Sequence, residues 1–232
     1  MSTVQNIDWL EITLTLVLAI TAMLGVYWGF TDPDFFTNRY MMEDGVIEYT
    51  TVVLLLAACL VTGTRWLRYR RQRPFRFTLI SLLVVMFFFF IAGEEISWGQ
   101  RILGLETTDY FKEHNDQEEL NLHNLVVGDV KINKLFFGVI LTTAILVYMI
   151  IIPLLYHKVE YVRNQLDRWY IPVPRLRHSV GYMLLLLTIT VIPPGKKWEL
   201  LEFGSVLIFF LILWSPLNEY RFGDSEIKSK PF

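Results

Sequence analysis

The chain has few of the residues on which disulfide-bonded proteins and many metalloproteins depend. Its 232 residues include one cysteine, Cys59, and four histidines. A single cysteine excludes an internal disulfide and any zinc or iron–sulfur site built from several cysteines. A histidine-rich di-iron centre is excluded by count, because His157 and His178 fall on the opposite side of the predicted membrane from the other two histidines.

Several catalytic and binding motifs are also missing. The sequence has no glycine-rich phosphate loop and no G-x-S-x-G nucleophile elbow, so nucleotide hydrolysis and serine-hydrolase chemistry have no motif here. It shows no internal repeat, which counts against the inverted-repeat transporter folds. No segment is typical of a nucleic-acid-binding fold, and we expect no nucleic-acid partner.

Long apolar segments are abundant. Hydrophobic residues make up 53% of the chain, and they gather in blocks of about 20, the length that a helix needs to cross a bilayer. We therefore predict an all-α, polytopic integral membrane helical bundle, with residues 1–232 forming a single membrane domain of six transmembrane helices. The predicted spans are Trp9–Phe30, Gly45–Thr64, Phe77–Ser97, Leu135–Tyr156, Ser179–Pro194 and Trp198–Pro216.

The distribution of basic residues predicts the orientation. With six spans both termini lie on one face, together with the loops after the second and fourth spans. That face holds 14 of the 21 Lys and Arg residues, six of them in the loop from Arg65 to Arg76. By the positive-inside rule it is cytoplasmic, so we predict an N-in/C-in protein of a bacterial-type plasma (inner) membrane. The basic loops are expected to contact anionic membrane lipids.

Carboxylates occur at the outer ends of three predicted spans. Glu48 begins the second span, Glu94 and Glu95 end the third, and Glu199 and Glu202 begin the sixth. An acidic residue inside a bilayer costs free energy, roughly 2.5–3.5 kcal/mol at the centre and less near the interface, so it is rarely left facing lipid. Three helices that place acids at one depth predict a polar site there.

The long loop after the third span is expected to cover this layer. We predict that residues 98–134 form a partly helical lid over the outer ends of the second, third and sixth spans. His123 follows Glu119 by four residues, so a helix would put both on one face. Carboxylate oxygens and one imidazole suit a divalent metal ion, although the sequence does not select which one. The candidate metal ligands are Glu48, Glu94, Glu95, His123, Glu199 and Glu202.

These residues support three hypotheses. The first is a membrane-embedded hydrolase or transferase that acts on a lipid or lipid-linked substrate, with Glu94, Glu95, His123 and Glu48 as catalytic residues and a metal ion or a carboxyl group activating water. The second is a proton- or cation-coupled transporter, which the apolar first and fourth spans disfavour. The third is a non-catalytic subunit with membrane-protein partners, in which Arg101 neutralises the acids and the layer is a structural clasp.

Overall fold

The computed structural model describes residues 8–115, 117–122, 124–127, 130–131, 140–193 and 195–223, and these fold as a helical bundle. Strand structure in them is confined to an antiparallel pair, β1 (Val126–Val127) with β2 (Val130–Lys131), and one bridge beside it. The longer helices are α1 (Trp9–Thr31), α2 (Val46–Tyr69), α3 (Phe75–Glu95), α4 (Leu141–Lys158), α5 (Glu160–Arg168), α6 (Leu176–Val191) and α7 (Lys197–Trp214). Shorter turns of helix cover Pro33–Phe35, Phe36–Tyr40, Ser97–Gly99, Gln100–Leu103, Asp109–His114 and Glu219–Arg221.

Four helices, α1 to α4, are long and apolar enough to cross a membrane. Helix α6 is apolar but has 16 residues, and α7 carries Lys197, Glu199 and Glu202 in its first six positions. A bundle of membrane-type helices is therefore confirmed. The count of six spans and the N-in/C-in orientation stay predictions.

The ends of the helices differ from the predicted spans for identifiable reasons. Helix α2 continues to Tyr69, five residues beyond the predicted end, because nothing in Arg65–Arg68 interrupts a helix. Helix α3 ends at Glu95 instead of Ser97, since Ser97 and Trp98 have φ angles of 46° and 54°, which a right-handed helix does not allow. The first residues of the predicted fourth span, 135–139, lie outside the described residues.

Helix α7 lies at the centre of the bundle. Eleven of its 18 residues are buried, and it packs against α1, α2 and α6. Gly204 lets these helices approach closely, because a Cβ atom there would lie 2.4 Å from Cδ2 of Leu185 and 3.0 Å from Cδ1 of Leu18. Since α7 is central, the side chains of its first two turns can face α2 and α3 together.

Helix α4 contains a proline in its interior, and the structure compensates for it. Pro153 has no backbone N–H, so it cannot donate to the carbonyl of Met149 one turn earlier. The segment Val147–Ile151 is wound as a π-helix, and the hydroxyl of Ser179 in α6 donates to the Met149 carbonyl at 2.5 Å. A side chain of a neighbouring helix thus satisfies the carbonyl that the proline leaves open.

Candidate functional site: a carboxylate cleft beside a loop network

Glu94 and Glu95, the last two residues of α3, face different surroundings. Neighbouring residues in a helix point about 100° apart. Glu95 faces α2 and α7, whereas Glu94 is 3% exposed and faces the loop that follows α3. The two carboxylates therefore belong to two separate local structures.

The first structure is a cleft lined by four glutamates, which we call the carboxylate cleft. Glu48 comes from the first turn of α2, Glu95 from the end of α3, and Glu199 and Glu202 from the first two turns of α7. A fifth glutamate, Glu43, lies at the rim of the cleft, and the rest of the wall is formed by Thr51, Ile47, Met41 and Met42. These helix ends meet because α2 is packed against both α3 and α7.

Inside the carboxylate cleft the acids face one another. Glu95 at the end of α3 and Glu202 in the second turn of α7 line the same cleft. Glu48 accepts a hydrogen bond from the backbone N–H of Asp44 at 2.8 Å. Among the described residues, no Lys, Arg or His side chain forms an ion pair with any of the four glutamates.

A positively charged side chain is found at the rim of the cleft instead. Lys196, just before α7, pairs with Glu43 at 2.9 Å, and Gln117 from the loop after α3 donates to the same carboxylate at 3.2 Å. These contacts tie the segment before α2 to the segment before α7 and to the loop. These contacts stabilise the rim. They bring no positively charged side chain into direct contact with the four inner glutamates.

The second structure joins the end of α3 to the loop after it, and we call it the loop network. It consists of five buried polar side chains and one exposed arginine: Glu94, Ser97, Asn115, Glu119, Asn121 and Arg101. Glu94 accepts hydrogen bonds from the indole N–H of Trp98 at 2.8 Å and from the backbone N–H of Leu122 at 2.6 Å. Its carboxylate thus holds two distant points of the loop, and both of its oxygens are occupied.

Glu119 is satisfied in the same way. It is 9% exposed, and it accepts hydrogen bonds from Ser97 at 2.6 Å and from Asn121 at 2.8 Å. Arg101 donates to its other oxygen and also to Asp44, so one guanidinium links the loop network to the segment before α2. Asp44 in turn contacts Glu48 through its backbone, which connects the network to the edge of the cleft.

Three asparagines complete the loop network. Asn115 donates to the backbone and side-chain oxygens of Asn121 at 2.9 and 3.0 Å, and its own oxygen accepts from the backbone of Gln117 and Glu119. The side-chain oxygen of Asn121 also accepts from the backbone N–H of Asn124 at 3.3 Å. Buried amides that use both their donors and their acceptors fix a single conformation of the loop.

The turn that leads from α3 into this network is conformationally strained. Ser97 and Trp98 both have positive φ, a conformation that costs a non-glycine residue about 1–3 kcal/mol. The Trp98 ring folds back over Gly93, where a Cβ atom would lie 2.8 Å from the ring. The hydrogen bond from Trp98 to Glu94 and the absence of a side chain at Gly93 hold this turn in place.

The predicted metal ligands are divided by this geometry. Glu48, Glu95, Glu199 and Glu202 line one cleft, and Glu94 lies in the loop network away from it. His123 lies outside the described residues, although its neighbour Leu122 is bonded to Glu94. In the part of the chain that the structure describes, no group of three His, Cys, Asp or Glu side chains has an arrangement that would hold a metal ion.

A buried charged cluster at the other end of the bundle was not anticipated from the sequence. Glu11 of α1 is 2% exposed; it accepts from Arg177 at 2.6 Å and lies 3.0 Å from the ring of His178. These contacts join α1 to the start of α6. The signal was present in the sequence, since an acid in the first turn of one span and two bases in the first turn of another were predicted on one face of the membrane.

Comparison of the chain with protein-family models, with curated proteins and with solved structures finds no match.

Proposed function

We propose that this chain is a six-pass membrane protein in which the carboxylate cleft is the centre of an enzyme for a lipid or lipid-linked substrate. The observation that carries the proposal is that three helices bring Glu48, Glu95, Glu199 and Glu202 to one cleft without a basic partner among the described residues. Acids that lack a basic partner at the boundary of a membrane are usually retained for function, because an unpaired charge at that depth costs free energy.

The six-span arrangement adds α6 and α7 to the four helices that meet the length and composition of spans. The 16 residues of α6 rise about 24 Å, which is short but can be accommodated by local thinning of the bilayer. Six passes put both termini on the side with most of the arginines, so the cleft faces the outside of a bacterial-type plasma membrane.

The chemistry we propose is proton transfer or cation-assisted activation at the cleft. Two carboxyls that share a proton provide an acid and a base at the same place, as in enzymes that use paired carboxyl groups. Four oxygen-rich side chains are also the ligands preferred by Mg²⁺ or Ca²⁺. Either arrangement would activate water or polarise a phosphoryl or acyl oxygen.

The position of the cleft supports an amphiphilic substrate. Its glutamates lie in the terminal turns of α2, α3 and α7, which is the depth of lipid headgroups if these helices span the bilayer. The cleft opens to the surface, so only a headgroup, phosphoryl or acyl group would meet the glutamates, with the rest of the substrate outside.

Reconstitution tests the proposal directly. The purified chain is incorporated into liposomes of bacterial lipid extract, and the lipids are followed by mass spectrometry over time. We expect new lipid products with the unchanged protein and none with Glu95→Gln or Glu202→Gln. Glu106→Gln, which alters an exposed acid of the same loop region, should behave as the unchanged protein. An absence of any lipid product from the unchanged protein, or full activity of both cleft variants, would reject the proposal.

Two measurements on the same sample distinguish activation by a metal ion from acid–base catalysis by the carboxyl groups. Elemental analysis shows whether a stoichiometric divalent metal ion accompanies the protein. A hydrophobic carbodiimide, which adds to protonated carboxyl groups, should modify Glu95 or Glu202 if they share a proton. Stoichiometric metal with no modification favours the metal form, and the reverse favours the acid–base form. A protein with neither property that co-purifies with fixed partners would instead be the non-catalytic subunit.

A further inference from the structure

A second cavity lies at the opposite end of the bundle from the carboxylate cleft. It lies between the last turns of α2 and the first turns of α3. Most of its wall is apolar, with Phe77, Ile80 and Val84 of α3 on one side and Leu213 of α7 on another. The polar groups in the wall are few, as is typical of sites that bind an amphiphile. We call it the α2–α3 cavity.

Arg65 places a positive charge in the wall of this cavity. Its guanidinium donates to the carbonyls of Leu213 and, at 2.7 Å, of Trp214 at the end of α7. No carboxylate among the described residues forms an ion pair with it. A guanidinium has five N–H groups, so donors remain after these two bonds. Glu219, whose charge also acts on Arg65, is itself paired with Arg175, so Arg65 can bind a further anion.

Further positive charge surrounds the same cavity. Tyr170 forms part of its wall, and the guanidinium groups of Arg73 and Arg221 lie 5.5 and 4.8 Å from the centre of its ring. Arg73 is only 8% exposed, so water screens its charge weakly. Tyr170 thus brings two further guanidinium groups to the edge of the cavity, beside Arg65 in its wall.

We propose that the α2–α3 cavity binds an anionic phospholipid, with its phosphate at Arg65 and part of an acyl chain along Phe77, Ile80 and Val84. Basic pockets between membrane helices bind such headgroups, and the apolar wall supplies the surface that free phosphate would not use. The proposal is independent of the chemistry at the carboxylate cleft, which lies at the other end of α2.

The test is native mass spectrometry of the full chain in detergent, titrated with phosphatidylglycerol, with phosphatidylcholine and with inorganic phosphate. We expect phosphatidylglycerol to bind at least about tenfold more tightly than phosphatidylcholine, which corresponds to one charge-assisted hydrogen bond, and phosphate to bind too weakly to detect. Arg65→Gln should remove this preference. Arg71→Gln, which removes one charge from an exposed position in the turn after α2, should change the binding less than twofold.

A second variant guards against a folding defect, since Arg65 also caps α7. Val84→Leu adds one methylene group to the apolar wall and leaves every arginine in place, so it should weaken phosphatidylglycerol binding while the melting temperature stays within a few degrees of the unchanged protein. Equal binding of the two lipids by the unchanged protein would overturn the proposal. So would Arg65→Gln and Val84→Leu proteins that both retain the preference, or an Arg71→Gln protein that loses as much as Arg65→Gln.

Discussion

The carboxylate cleft and the loop network both contain glutamates and lie at the same end of the bundle, yet the groups that surround those glutamates are opposite in kind. In the loop network, Glu94 and Glu119 together accept hydrogen bonds from Trp98, Leu122, Ser97, Asn121 and Arg101. In the cleft, four glutamates face one another, and Asp44 supplies the one backbone donor found among the described residues.

The difference teaches which acids stabilise the protein and which are available for chemistry. A buried carboxylate that is surrounded by donors contributes to stability, because removing it leaves those donors unpaired. A carboxylate that faces other carboxylates is destabilising until a proton or a cation joins the group. Changes in the two regions should therefore affect the stability of the protein in opposite directions.

The largest effect is expected at Glu94. Glu94→Ala leaves the indole of Trp98 and the backbone N–H of Leu122 without an acceptor, which should lower the free energy of unfolding by about 3–5 kcal/mol. For a chain of this size that corresponds to a fall in melting temperature of about 6–20 °C. The midpoint can be followed with a thiol-reactive dye, since Cys59 is the only cysteine and lies within α2.

Glu106→Ala is the matched control for this experiment, because Glu106 is an exposed acid in the same loop. It should change stability by less than about 0.5 kcal/mol. If Glu94→Ala melted within two degrees or so of the unchanged protein, the loop network would not depend on this carboxylate.

A smaller loss is expected when an acid is added to the loop network. Asn121→Asp keeps the oxygen that accepts from Asn115 but replaces the amide that donates to Glu119 at 2.8 Å. Two buried carboxylates then face each other, which should cost about 2–4 kcal/mol at neutral pH. The deficit should shrink as the pH falls, because the introduced carboxyl group, once protonated, can again donate to Glu119. Melting curves at mildly acidic and mildly basic pH measure this, and a deficit that grew at the lower pH would contradict it.

The contacts of Arg101, which link the two regions, should contribute less to the free energy of unfolding. Arg101→Met removes the guanidinium that bridges Asp44 and Glu119, and it should cost about 1–2 kcal/mol, since the arginine is 38% exposed and partly screened by solvent. Arg101→Lys retains the charge but not the forked geometry, so its melting temperature should fall between the other two. Equal melting of Arg101→Lys and the unchanged protein would mean that charge alone holds the loop.

The smallest change in stability is expected in the cleft. Glu95→Gln removes one ionisable carboxyl group from the four that face one another, so the stability of the variant should stay within about 1 kcal/mol of the unchanged protein and shift upward. The melting temperature of Glu95→Gln, measured beside that of Glu94→Ala, decides whether the two regions differ. A loss at Glu95 as large as that at Glu94 would make the cleft a structural clasp as well.

Part of the candidate site could be predicted by counting depth along the spans. The positions of Glu48, Glu95, Glu199 and Glu202 at the ends of three helices were enough to expect them at one level of the membrane, and the structure places them around one cleft. Their role as a site, and that of His123, stays a prediction. The alternative of a structural clasp with Arg101 anticipated part of the loop network. Its individual partners, such as Asp44 and Glu119 for Arg101, could not be predicted, because these contacts join residues far apart in a loop without periodicity.

Length and hydropathy alone determined that this chain forms membrane-type helices, because each helix satisfies its own backbone and needs only a run of apolar residues. Only the tertiary structure decided that the adjacent residues Glu94 and Glu95 have different surroundings. The turn at Ser97 and Trp98 brings donors from the loop to one carboxylate, and the packing of α2 and α7 brings only further acids to the other.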